Sequence, residues 1–308
     1  MGYVYALLAA LLFGANGSLT KLIVEAGLTP MQLTQFRTLG TAVLAGAVLL
    51  ITDRNSFRLR PRQLLVMAVL GVGGVALLQA SYAAALQLLP VGIALLLEYT
   101  AVLMVALVAF FGFRERVKAR IWVAIGLVLV GLAVVAQVWA SSLDAMGVVL
   151  ALVAAVTLAF YFIVGERQVG ATSPLAVAFW TMLFATIFWA LFSGWWTLRP
   201  AMFAAPVDLG GGLALPLVVP LAVTVVLGSF APFLLSFSAL KHLSATAAGI
   251  VASSEVLFAF VVAWLWLGER LSLLQVAGAG VVLAGIVLAQ TARSSKTVVD
   301  ADLALPSP

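Results

Sequence analysis

Runs of about 20 apolar residues recur from one end of this chain to the other, and such runs match the length a helix needs to cross the hydrocarbon core of a bilayer. The stretch "IWVAIGLVLVGLAVVAQVW" from Ile121 is one of them. It shows no alternation of polar and apolar residues, which excludes a membrane β-barrel. Of the 308 residues, 65% are hydrophobic and 9% charged, against about a quarter charged in soluble domains. The sequence therefore predicts an all-α integral membrane protein. Ten spans are expected, roughly 3–24, 31–51, 64–87, 91–112, 120–139, 147–166, 174–195, 216–238, 246–267 and 272–291. Pro30 and Pro174 open helices, where a missing N–H costs little. "RLRPRQ" and "RPAMFAAPVDLGGGLALP" are expected as loops, and 292–308 as a disordered cytoplasmic tail.

The cationic residues fall on one side. With the N-terminus inside, the inner segments hold Arg54, Arg58, Arg60, Arg62, Arg114, Arg116, Lys118, Arg120, Arg167, Lys241, Arg293 and Lys296. The outer side holds Arg199 and Arg270, with Lys21 near that end of the first span. This bias predicts cytoplasmic N- and C-termini and a multi-pass protein of the cell inner membrane. It also accounts for the net charge of +5 without nucleic acid. With no cysteine and a lone histidine, His242, no metal site, cofactor or catalytic triad is expected. "GVGGVA" follows no strand, so it is not expected to cradle a nucleotide.

The chain repeats itself. A shift of 154 positions lays Glu115, Arg116, Gly126 and Gly131 on Glu269, Arg270, Gly280 and Gly285, and a shift of 144 lays Pro30 on Pro174. Each copy has five spans, an odd number, so the second must be inverted in the membrane. The expected architecture is two inverted five-helix repeats, 1–140 and 141–291, around a central cavity, as in many carriers.

Several stretches carry a family resemblance: "FGANGSLTK" in the first span, "TPMQLTQFR" opening the second, and "GERLS" at 268–272 with its looser copy "FRERV". Over residues 3–291 the chain resembles the drug/metabolite transporter superfamily in its ten-helix EamA-repeat form, and within it most resembles the YddG-type amino-acid exporters. The resemblance implies a cavity ringed by helices 1, 3, 4, 6, 8 and 9. One departure is Val256, which follows Glu255 where family members often carry proline.

The residues that carry chemistry are polar ones at membrane depth. An ionised side chain at a helix centre costs roughly 2.5–3.5 kcal/mol on insertion scales, so such groups face a bundle interior or a wet cavity. Glu98 and Glu255 lie in repeat-related spans, near the same depth. As cavity carboxylates they would bind a substrate ammonium or exchange a proton; as structural groups they would be hydrogen-bonded to a neighbouring helix or paired with Arg37. Arg37 would hold a substrate carboxylate, neutralise a glutamate, or snorkel. Asn16, Gln79, Tyr82, Tyr99, Tyr161, Trp180, Ser253 and Ser254 complete the expected lining, each against the alternative of helix packing or interfacial anchoring.

The combined expectation is a secondary transporter, not an enzyme, that exports small amphipathic metabolites by alternating access. Amino acids, aromatic ones included, are the leading substrate class, with lipids around a monomer or homodimer. An exporter of drugs or other cationic compounds is the rival within the superfamily. An intramembrane enzyme would need a clustered catalytic set near one face, and the sequence shows none.

Overall fold

The computed structural model describes the chain apart from residues 90, 113, 115–117, 141–143, 210–212, 268–271 and 292–308, and apart from the side chains at 21, 91, 92, 136, 140, 263, 266, 267, 290 and 291. The Glu115/Glu269 and Arg116/Arg270 matches, most of "GERLS", the boundary at 140/141, the tail and the Lys21 side chain thus lie outside the described residues.

Among the described residues, eight helices are long and apolar enough to cross a membrane, and two shorter apolar ones join them. The first copy consists of α1 (Gly2–Glu25), α2 (Pro30–Thr52), α3 (Pro61–Ala85), α4 (Val91–Tyr99 and Ala101–Leu107) and α5 (Ala119–Ala136). The second consists of α6 (Ala145–Ala171), α7 (Pro174–Phe192), α8 (Val218–Leu240), α9 (Ala245–Ala252 and Glu255–Leu267) and α10 (Leu273–Thr291). Local chemistry sets the helix starts. Thr29 accepts from the Gln32 N–H (3.2 Å) while Gln32 accepts from the Thr29 N–H (3.0 Å), closing a capping box in front of Pro30. At the equivalent place in the second copy, Ser173 caps α7 ahead of Pro174.

The copies share two irregularities as well as their helices, while a further π-helical turn, Val108–Gly112 at the end of α4, has no counterpart among the described residues of α9. α3 contains a π-helical turn at Gly71–Ala76, formed by the "GVGGVA" stretch, and α8 contains one at Val226–Phe230. α4 breaks at Thr100 and α9 breaks at Ser253–Ser254. The α9 break needs no proline. Ser253 and Ser254 donate from their hydroxyls to the carbonyls of Ile250 (2.6 Å) and Val251 (2.7 Å), and Thr100 does the same to Leu97 (2.6 Å). The Leu97 and Val251 carbonyls also accept the Thr100 and Ser254 N–H groups (3.2 and 3.1 Å), so the hydroxyls reinforce the last turn before each break.

Packing follows the repeat. α1 packs against α8 and α9 of the other copy, while its counterpart α6 packs against α3 and α4. α2 meets its counterpart α7, and α5 meets α10. On the α5–α10 seam, a Cβ at Gly131 would lie 2.8 Å from the Val282 nitrogen, and one at Gly285 would lie 2.9 Å from the Ala124 carbonyl oxygen. The repeated glycines are therefore there for close backbone approach. The other matched pair, Gly126 and Gly280, meets nothing within 4 Å.

Two expected boundaries shift. α6 runs on to Ala171, and α7 stops at Phe192. The expected 199–216 loop includes a short antiparallel hairpin, Pro206–Asp208 with Ala214–Pro216. Val207 and Leu217 of this segment pack with Ile23, Leu28 and Leu33 over the α1–α2 turn.

Candidate functional site

A cavity of about 740 Å³ lies between the two copies. Its walls come from α1, α2, α3, α4, α6, α8 and α9, with Val135 and Gln275 contributed by the ends of α5 and α10. α2 is an addition to the expected ring. At one end of the cavity the lining residues Glu25 and Gln87 are exposed; at the other, Ala6, Ala239 and Ala248 are buried. The cavity thus opens at one end of the bundle. The opposite end, which carries the N-terminus and the α8–α9 turn, is packed shut. The Tyr5 ring lies 5.9 Å from that of His242, and Glu166 of α6 accepts from the Ala245 N–H at the start of α9 (2.8 Å). Toward that end the floor is aromatic: Phe13 and Tyr161 both make edge contacts with Phe233, at 5.1 and 6.0 Å.

Asn16, Gln79, Tyr82, Glu98, Tyr99 and Tyr161 line this space, as do Arg37 and Glu255. Glu98 and Tyr99 sit just before the α4 break and Glu255 just after the α9 break. The Tyr99 hydroxyl donates to Glu255 Oε2 at 2.7 Å, joining the two broken helices across the repeat. The Tyr161 hydroxyl donates to Ser236 Oγ (2.9 Å). Glu98 Oε2 and both polar atoms of the Gln79 amide are buried without a hydrogen-bond partner.

The FGANGS stretch divides its work by position. A Cβ at Gly14 would stand 2.6 Å from the Glu255 carbonyl oxygen, so α1 lies directly against α9 at its break. Asn16 is wedged against Gly228 in the π-helical turn of α8, where a Cβ would collide with its amide. Gly17 faces open cavity.

Three expectations are corrected. Trp180 does not line the cavity. It sits on α7, which contributes no wall among the described residues, and its Nε1 donates to the Ser56 carbonyl (3.0 Å). Ser253 and Ser254 are buried at the α9 break, with their hydroxyls bonded to their own helix. Replacing either serine with alanine is expected to cost about 1 kcal/mol of stability and to leave transport in proteoliposomes intact. Loss of transport in a stably folded variant would return these hydroxyls to the cavity.

Arg37 bonds to a helix and not to a carboxylate. Its Nε donates to Ser229 Oγ (2.7 Å) and its Nη2 to the Gly228 carbonyl (2.8 Å), pinning α2 to the π-helical turn of α8. Sequence reasoning did not select Phe13 and Phe233 as cavity residues, whereas Ser236, one of the polar residues of the eighth span, does line it.

The EamA-like transporter family matches the chain twice, over residues 1–137 and 145–291. An Archaeoglobus fulgidus protein described as an "Uncharacterized transporter" is 30% identical over 214 residues, covering 68% of this chain and 71% of the relative. The "Threonine/homoserine exporter RhtA" of Escherichia coli K12 is 29% identical over 244 residues, covering 78% of this chain and 76% of the relative. A crystal structure superposes with a TM-score of 0.76 at 17% identity, covering 94% of this chain and 96% of that one, a likeness of fold. With one family match on each five-helix copy and a cavity between the copies, the chain belongs to the EamA-like transporter family.

Proposed function

We propose that this protein is a secondary transporter of the inner membrane that exports small amphipathic metabolites, amino acids first among them, by alternating access. The observation that carries the reading is a cavity open at one end and shut at the other, between two inverted copies whose broken helices meet at its wall. Its volume of about 740 Å³ is in the usual range for a small-molecule site. The Lys and Arg bias supports a cytoplasmic position for the shut end, and on that reading the described state faces outward. Exchanging the conformations of the two copies would close the Glu25–Gln87 end and part the Tyr5–His242 end. The name of the Escherichia coli relative supports amino acids as cargo.

Counterflow of radiolabelled amino acids in proteoliposomes tests the reading. Accumulation of at least one amino acid against unlabelled internal substrate is expected. The chain has no cysteine, so a single cysteine at Ala248 also reports the inward-facing state. That thiol should be unreactive from the cytoplasmic side at rest and become reactive during turnover. No counterflow with any amino acid, together with a silent thiol, would end the proposal.

A further inference from the structure

The hydrogen-bonding capacity of the cavity is unevenly used. Several of its donors are occupied. The Tyr99 hydroxyl is given to Glu255, the Tyr161 hydroxyl to Ser236, the Asn16 amide N–H to Thr20 (3.1 Å), and two edges of the Arg37 guanidinium to α8. Among the buried groups of the lining that have no partner, acceptors outnumber donors: the Asn16 and Gln79 amide oxygens and Glu98 Oε2 against the Gln79 amide nitrogen. Glu98 lies in the wall with only 8% of its surface exposed, and its Oε2 has no partner. Gln79, also 8% exposed, has neither its oxygen nor its nitrogen bonded, and either amide assignment leaves one acceptor free. Gln79 and Tyr82, three residues apart, share a face of α3, and both line the cavity with Glu98.

Charge points the same way. The described lining side chains include three carboxyl groups, Glu25, Glu98 and Glu255, against one guanidinium, Arg37. Buried acceptors left unpaired are costly, and a ligand that brings N–H donors removes that cost. A primary ammonium brings three. The aromatic side chains of Phe13, Tyr82 and Phe233 in the same cavity suit a cation or a ring attached to it.

We propose that Glu98 and Gln79 form an ammonium subsite that is the main anchor for ligands, so that primary amines lacking a carboxylate bind in this cavity while the matching carboxylic acids do not. This deepens the exporter reading and rests on it for the physiological direction of transport, but binding is measurable without transport. A zwitterion would place its ammonium at Glu98 and Gln79 and leave its carboxylate the weaker partner, served by the Gln79 N–H.

Four probes with related skeletons test the subsite: L-phenylalanine, 2-phenylethylamine, 3-phenylpropionate and the N-trimethylated amine. Binding is read by ligand-induced thermal stabilisation of the detergent-solubilised full chain, and transport separately by counterflow. The half-saturating concentration of the amine should lie within about tenfold of that of the amino acid, and that of the acid at least about 30-fold higher, as a lost charged hydrogen bond dictates. The trimethylated amine, having no N–H, should bind about tenfold more weakly than the primary amine. Glu98→Gln should weaken amine binding by about 10- to 100-fold without lowering the unliganded melting temperature. The near-isosteric Gln79→Met should weaken it less, and serves if Glu98→Gln does not fold.

Acid binding as tight as amine binding, no stabilisation by the amine, or unchanged amine affinity in both variants would each overturn the subsite. Amine binding with no counterflow of any amino acid would keep the subsite and sink the exporter reading. Counterflow inhibited equally by amine and acid would do the reverse.

Discussion

Replacing Gly14 with alanine is expected to abolish transport and to lower the melting temperature of the detergent-solubilised protein. Position 14 is where α1 of the first copy touches α9 of the second at its break. The new methyl carbon would stand 2.6 Å from the Glu255 carbonyl oxygen and 2.8 Å from the Ala259 nitrogen. Both are backbone atoms, so no rotamer change relieves the contact and the helices must separate. Overpacking of this kind costs about 1–3 kcal/mol. The displaced segment carries Glu255, whose bond to the Tyr99 hydroxyl links the halves, so the functional loss should exceed the loss of stability. Gly17→Ala is the control. Nothing lies within 4 Å of that position, and alanine favours the helix by up to about 1 kcal/mol. If Gly17→Ala destabilises as much as Gly14→Ala, intolerance of any change in α1 would replace the packing account.

Arg37→Met should be nearly as damaging, and Arg37→Lys should not rescue it. The guanidinium makes two charge-assisted bonds to adjacent residues of α8, Ser229 Oγ and the Gly228 carbonyl. Hydrogen bonds to charged groups contribute about 1.5–3 kcal/mol each. A lysine offers a point charge and cannot reproduce the forked geometry. If Arg37 served instead to neutralise Glu255, Lys would restore most of the stability and Ser229→Ala would cost nothing. The expected result is the opposite: in a double-mutant cycle, Arg37→Met and Ser229→Ala should be coupled by about 1–2 kcal/mol. In the proposed alternating-access cycle, this predicts that α2 and the π-helical turn of α8 move as one piece.

Residues of the same type met different fates, and the reason is geometric. Glu98 and Glu255 stood out because a carboxyl group at membrane depth is costly anywhere except beside water or a partner. Both border the cavity, and one of them has a partner, Tyr99, from the other copy. Ser253 and Ser254 stood out on the same grounds, yet their hydroxyls close on their own helix. A serine has two ways to satisfy itself, a neighbouring turn or a cavity, and sequence position does not distinguish them. Trp180 drew attention by its depth, but depth says nothing about azimuth, and α7 turns its faces elsewhere. Phe13 and Phe233 were invisible among so many apolar residues, since an aromatic floor and a lipid-facing ring look alike in sequence.

The amino-acid sequence by itself determined the membrane class, the ten spans, their division into two copies and the inversion of the second. These follow from local quantities: the length of apolar runs, the positions of Pro, Lys and Arg, and the parity of five. Tertiary structure alone decided that Arg37 bonds to α8, that Tyr99 reaches Glu255, that Glu98 Oε2 and the Gln79 amide remain without a partner, and which end of the cavity is open. Those outcomes depend on which helix lies beside which and at what rotation. In a bilayer, where nearly every outward face is equally apolar, that rotation is set by contacts between residues far apart in the chain.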